Sequence, residues 1–134
     1  MTILCPVDFS AGSAALVAVA AALAAGGGSE LRLLHVCEPP EAGAAATPAD
    51  CAVLLAGLRA AAGAAGAAHV STGVLRGEAA PTIVAEAARR RAGLIVLGAH
   101  GQTGLSRFLM GNTAEVVLRT AACPTLLVRE PVRA

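Results

Sequence analysis

The chain has 134 residues, with ten arginines, no lysine and nine acids, so its net charge is +1 and it carries no strong field to draw in a polyanion. Trp and Tyr are absent and only Phe9 and Phe108 are aromatic, so platforms for stacking bases are missing too, which disfavours nucleic acid as a partner. The length suits one domain, residues 1–134, whose core must rest on Val, Leu and Ile because much of the 56% hydrophobic fraction is Ala.

In chain order, Met1 to Val7 reads as a short buried strand, with Pro6 limiting further ladder bonds near its end. Ser10 is placed to cap a first helix, along which Leu16, Val19, Ala20 and Leu23 recur at helical spacing until Gly26, Gly27 and Gly28 stop it. The uncharged stretch from Ala11 to Gly28 is amphipathic and weakly apolar, and Asp8 precedes it where a signal peptide wants positive charge. It is expected to be a soluble helix and not a membrane segment. Leu31 to Val36 is a second strand. Thr47, Pro48 and Asp50 open a second helix, with Val53, Leu54, Leu55 and Leu58 inward. Val70 to Leu75 is a weaker strand. Pro81 to Arg91 is a third helix, with Ile83, Val84, Ala87 and Ala88 inward and Glu86 paired to Arg90 on its exposed side. Leu94 to Leu97 is a strong strand, followed by a glycine-rich loop from Gly98 to Gly111. A fourth helix from Thr113 to Thr120 and a last strand from Thr125 to Val128 complete the chain.

This β-α-β-α-β-α-β-α-β order implies a parallel sheet covered by helices on both faces. Connectivity leaves two strand orders open, 2-1-3-4-5 and 3-2-1-4-5. The second brings the loop after strand one, Pro6-Val7-Asp8, beside the loop after strand four, Gly98-Ala99-His100-Gly101, at a switch point where such sheets bind ligands. Glycines let backbone N–H groups approach phosphate oxygens, and the loop is expected to deliver Gly111 and Asn112 to a helix start, whose free N–H groups and dipole favour an anion. Asn112 with Glu115 also reads as a capping box, a purely structural use of the same residue.

Cys5, Cys37, Cys51 and Cys123 form no CxxC pair, no Cys/His cluster has zinc spacing, and no metal-binding set is read here. The cysteines fit buried thiols in a reducing, cytoplasmic compartment. His35 reads as structural, His69 as a surface residue, and the run Arg89 to Arg91 as a solvated face.

Gly98, Gly101 and Gly111, with the flanks LIVLGAHG, GLSRFLMGNTAEVVLR and CPTLLVRE, resemble the ATP-binding signature of the universal stress protein family; LCPVDFS and LRLLHV resemble its first two strands. The likeness covers nearly the whole chain and is weakest from Pro39 to Ala68. It implies a five-stranded parallel sheet in the order 3-2-1-4-5, of the Rossmann-like, adenine nucleotide alpha hydrolase-like class. It implies that Pro6, Val7 and Asp8 line an adenosine site and that Val36 meets the adenine edge through its backbone. Leu97 and Gly98 would floor the nucleoside, and His100, Gly101, Gly111, Asn112 and Thr113 would hold the phosphates. ATP with magnesium or manganese is the implied ligand, other adenine nucleotides being alternatives, and a homodimer through Thr125 to Val128 the implied assembly. Two positions depart from the pattern: Asn112 stands where the family usually has Ser or Thr, and Gln102 where a basic residue is common. They keep a second reading open, an interaction module that works through protein partners without nucleotide. A dedicated ATPase is not expected, because there is no P-loop Lys, no activated nucleophile and no paired metal-binding carboxylates.

Overall fold

The computed structural model describes residues 1–38, 48–98 and 106–129, with the backbone alone for 48 and 106–112. The elements are β1 (Thr2–Pro6), α1 (Ser13–Gly27), β2 (Glu30–Cys37), α2 (Pro48–Ala64), β3 (Val70–Arg76), α3 (Ala79–Arg89), β4 (Ala92–Gly98), α4 (Ser106–Thr120) and β5 (Thr125–Val128). All strand pairs are parallel and the sheet order is β3-β2-β1-β4-β5. Of the two orders open from connectivity, this is the one with the switch point between β1 and β4.

Side chains alternate across the strands and so build two cores. Ile3, Cys5, Val7, Leu31, Leu33 and Val96 pack with α1 and α2 on one face, whereas Leu4, Leu34, Ile95 and Leu97 pack with α3 and α4 on the other. The central strands are apolar on both sides for this reason, and β1 is buried from Ile3 to Pro6.

Several helix faces differ from expectation. In α1 the buried face is Leu16, Val17, Ala20, Ala21 and Ala24, while Val19 and Leu23 are 36% and 40% exposed. Ala packs against the sheet because its small side chain lets the helix approach closely, and the larger Val and Leu positions do not mark the inner face. In α2, Cys51, Leu55 and Ala62 point inward, and Val53 (71% exposed) and Leu54 (45%) do not. Ser10 is not the cap of α1: the helix starts at Ser13 with Gly12 as its N-cap, while Ser10 accepts the Ser13 N–H on its carbonyl. Gly28 ends the helix in the left-handed region (φ 64°), and its N–H bonds the Ala24 carbonyl.

Glu86 of α3 is buried, not on an exposed face, and Ala88 is exposed. Arg89 donates from Nε and Nη2 to Glu86 Oε1 (2.9 and 2.7 Å), and Arg90 Nε donates to Oε2 (2.8 Å). Arg32, which points from β2 to this face, brings its Nε to 3.7 Å from the same oxygen. The expected solvated arginine run is therefore partly a clamp on one carboxylate. Burial pushes the Glu86 carboxyl up, but the hydrogen bonds and charges of Arg90 and Arg89 outweigh it and hold it below the ordinary carboxylate range.

Candidate functional site

The site grows from the end of β1. The register of β1 with β2 stops at Pro6 opposite Leu34, and the Val7 N–H then bonds the Leu34 carbonyl at 2.8 Å. Along a strand the N–H and C=O groups of alternate residues point to the same side. Since Leu34 faces β1, so do the main-chain groups of Val36, past the point where β1 offers a ladder partner. On the other side, the Ile95 N–H bonds Pro124 towards β5. Gly98, odd-for-even with Ile95, therefore turns its main-chain groups towards β1, beyond the last β1–β4 pair, Leu4 with Ile95. Val36 and Gly98 thus flank the crevice with peptide groups, with the half-buried Asp8 at its head. Leu97 is 2% exposed and belongs to the core beneath.

The turn that carries Asp8 is strained and well braced. Phe9 has φ 61°, a left-handed conformation that costs a bulky residue about 1–2 kcal/mol. Four contacts hold it there. The Asp8 carboxylate accepts from the Ser10 N–H (2.9 Å) and from the Ser13 hydroxyl (3.4 Å). The Phe9 ring lies 4.3 Å from the His35 ring, tilted by 33°. His35 Nδ1 is 2.8 Å from the Val7 carbonyl oxygen and donates to it. His35 is structural, as expected, and what it structures is this turn. Strain of this kind collects at functional sites, where the surroundings over-determine it.

Beside the turn, a cleft of about 280 Å³ opens between the start of α1 and α2, lined by Phe9, Ser10, Ser13, Leu54, Gly57 and Leu58 among others. Its lining is mainly apolar, which suits a flat hydrophobic group lying next to the polar crevice.

Of the residues expected to bind, Pro6, Val7, Asp8, Val36, Leu97 and Gly98 converge at the carboxyl ends of β1, β2 and β4. His100 and Gly101 lie outside the described residues. Gly111, Asn112 and Thr113 do not open a helix: α4 begins at Ser106, so they occupy its interior. Beyond its first four residues a helix spends its N–H groups on its own carbonyls, so the Gly111 and Asn112 amides are engaged within α4. The capping-box expectation fails with the same boundary, and Glu115 instead accepts from Arg119 at 3.2 Å. Neither Phe9's left-handed backbone nor the role of Cys51, which the fold carries to the end of β2 beside Cys37, is legible from the sequence. A bulky residue directly after a strand-end Asp was the one local hint of the first; nothing local pointed to the second.

No helix among the described residues is long and apolar enough to cross a membrane. Comparison with known proteins points one way. The sequence model of the universal stress protein family matches residues 1–129. A universal stress protein of Methanocaldococcus jannaschii is 45% identical over 62 residues, a match that spans 46% of this chain and only 36% of that protein. Among solved structures, a universal stress protein in complex with cAMP superposes with a TM-score of 0.81 over 96% of both chains at 24% identity. The Archaeoglobus fulgidus protein in complex with dAMP gives a TM-score of 0.76 at 21% identity, covering 95% of this chain and 96% of that one. UspA from Lactobacillus plantarum is 29% identical, with a TM-score of 0.70 over 96% and 97% of the two chains.

Proposed function

Because the chain belongs to the universal stress protein family, we propose that its 134 residues act as a single nucleotide-binding regulatory domain, with ATP as the ligand and without fast hydrolysis. The observation that carries the reading is the pair of peptide edges, Val36 and Gly98, turned towards Asp8 at the switch point. Peptide N–H and C=O groups can read the edge of an adenine, and a carboxylate can accept from ribose hydroxyls. Two structural relatives are complexes with cAMP and dAMP, which share the adenine base of ATP. Pro6 and Val7 would line the adenosine part, above a floor of Gly98 and the underlying Leu97. His100, Gly101, Gly111, Asn112 and Thr113 would take the phosphates, with magnesium or manganese carried on the nucleotide.

A homodimer through β5 completes the proposal. Thr125–Val128 is an edge strand and Leu126 is 40% exposed, so a second copy would cover both open peptide groups and an apolar side chain. The cysteines Cys5, Cys37, Cys51 and Cys123 are free, which suits the cytoplasm.

One observation favours the second reading, a protein-interaction module without nucleotide. The α4 helix already uses the amides of Gly111 and Asn112. Phosphate binding through them requires the helix to start later in the complex, at an energetic cost that lowers affinity.

Gentle purification, denaturation and mass spectrometry of released nucleotide, with calorimetric titration of ATP and magnesium, test the proposal. One nucleotide per chain is expected, together with loss of binding in Gly101→Asp, which sets a carboxylate beside the phosphates. Asp8→Ala is expected to weaken binding at least about tenfold, the equivalent of one hydrogen bond to a charged group. If the parent chain carries no nucleotide and gives no heat, the interaction-module reading replaces this one. If Gly101→Asp binds as the parent does, the phosphate assignment is wrong.

A further inference from the structure

His35, Cys37 and Cys51 converge on the α1–α2 face of the sheet, at the carboxyl end of β2. A ring nitrogen of His35 and the two sulfurs all lie within 4.8 Å of one another. Residues two apart on a strand share a side, which places His35 with Cys37, and α2 lowers the buried Cys51 onto them. Cys37 and Cys51 are close enough to share a side-chain hydrogen bond.

A second observation concerns the histidine. Its Nδ1 faces the Val7 carbonyl oxygen at 2.8 Å, and a carbonyl can only accept. Nδ1 therefore donates, and in the neutral imidazole Nε2 keeps the lone pair. Histidines that ligate metals commonly show this arrangement, the outer nitrogen tied to a carbonyl or carboxylate while the inner one is left for the ion. The Phe9 ring, 4.3 Å away, further fixes the imidazole plane.

We propose that His35, Cys37 and Cys51 form a three-ligand site for a thiophilic d10 cation, zinc(II) or copper(I). Two sulfurs and an imidazole select soft and borderline ions over magnesium or calcium, which want oxygen. Zn–S bonds near 2.3 Å and Zn–N bonds near 2.0–2.1 Å place tetrahedral ligand atoms roughly 3.5–3.8 Å apart, so the cluster closes on an ion by small side-chain rotations. Binding converts both thiols to thiolates and releases their protons to solvent. Two thiolates balance a divalent ion, so the zinc complex adds no net charge to a half-buried position. Three protein ligands leave one tetrahedral position open, and copper(I) is satisfied by three. The proposal does not rest on the nucleotide reading, although His35 also braces the Asp8 turn through the Val7 carbonyl.

The test uses the full chain, reduced, stripped of metal and handled without oxygen. Cobalt(II) serves as the optical probe for a tetrahedral thiolate site, followed by competition with zinc(II) and, separately, with copper(I). The expected result is one cobalt per chain, with thiolate-to-metal charge transfer and strong visible d–d bands. One equivalent of zinc(II) or copper(I) should bleach them, and the tighter of the two names the occupant. Cys37→Ser is half-buried and should fold; it is expected to lose the charge-transfer band. His35→Gln should weaken binding by more than the roughly 10–100-fold that loss of an outer partner costs. Cys123→Ser should bind as the parent does. The proposal is overturned if the reduced protein takes up neither cobalt(II) nor copper(I), or if Cys37→Ser and His35→Gln bind as tightly as the parent.

Discussion

Replacing Glu86 by Gln keeps the size of the side chain and one carbonyl acceptor but removes the charge that three arginines face. The magnitude follows from how each arginine is placed. The Arg89 side chain is 62% exposed, so its loss of a partner is screened and costs little. The Arg90 side chain is 31% exposed and contributes a modest share. Arg32 decides the outcome, because its side chain is only 11% exposed and its Nε has no hydrogen-bond partner among the described residues, so the Glu86 carboxylate is its nearest compensation. Breaking a fully buried pair costs about 3–5 kcal/mol. With Arg32 partly wetted and its Nη1 still bonded to the Thr72 carbonyl at 2.7 Å, the discounted value is about 2 kcal/mol. Unfolding entropy of about 2.1 cal/mol/K per residue over 134 residues converts this to a fall in Tm of about 7 °C.

The same variant has a signature in pH. The folded-state pKa of Glu86 lies below its unfolded value. Its stabilisation is therefore present in full above the unfolded carboxylate value, about 4.3, and is lost as pH falls from there through the folded value. Differential scanning calorimetry of parent and variant should show the full gap near neutrality, narrowing on acidification. Adding Arg32→Met to the variant should recover part of the loss, since removing both members of a buried pair is far cheaper than removing one. A fall in Tm of under about 2 °C, with a gap independent of pH, would refute the reasoning and mean that Arg32 is adequately solvated without Glu86.

Further consequences can be checked on the same preparations. Leu33→Ala empties a fully buried position on the α1–α2 face and should cost about 3 kcal/mol in urea unfolding, whereas the exposed Leu54→Ala should stay within about 0.5 kcal/mol. Gly73→Ala would drive a Cβ into the Arg32 guanidinium, which is anchored on Thr72, and should cost about 1–2 kcal/mol; in an Arg32→Ala background that cost should disappear. Burial pushes the Cys5 thiol up to about 12, so a disulfide reagent at mildly alkaline pH should label Cys5 only on unfolding while the half-buried Cys37 reacts in the native state. Equal labelling rates for Cys5 and Cys37 would contradict the burial of β1.

Much of this architecture is written locally. The apolar runs of β1, β2 and β4 are continuous because each strand is covered on both faces, and Pro, Gly and Asp mark the turns between them; these signals act over a few residues and survive without knowledge of the fold. The same holds for the Asp8 turn and the Gly98 strand end, whose flanks carry the family resemblance. What local chemistry leaves undetermined is how elements far apart in sequence meet. In an Ala-rich helix the apolar period has no single phase, so only packing against the sheet decides that Ala20, Ala21 and Ala24 turn inward while Val19 and Leu23 do not. Glu86 looks like a surface residue until β2 brings Arg32 across to it, and α4 starts at Ser106 although Asn112 reads as a cap. Cys51 joins Cys37 and His35 only because the crossover returns α2 over the end of β2. Side-chain identity records the preference of a short segment; the partners of a buried charge, a thiol or an open peptide edge are set by strand order and helix placement, which exist only once the whole sheet has formed.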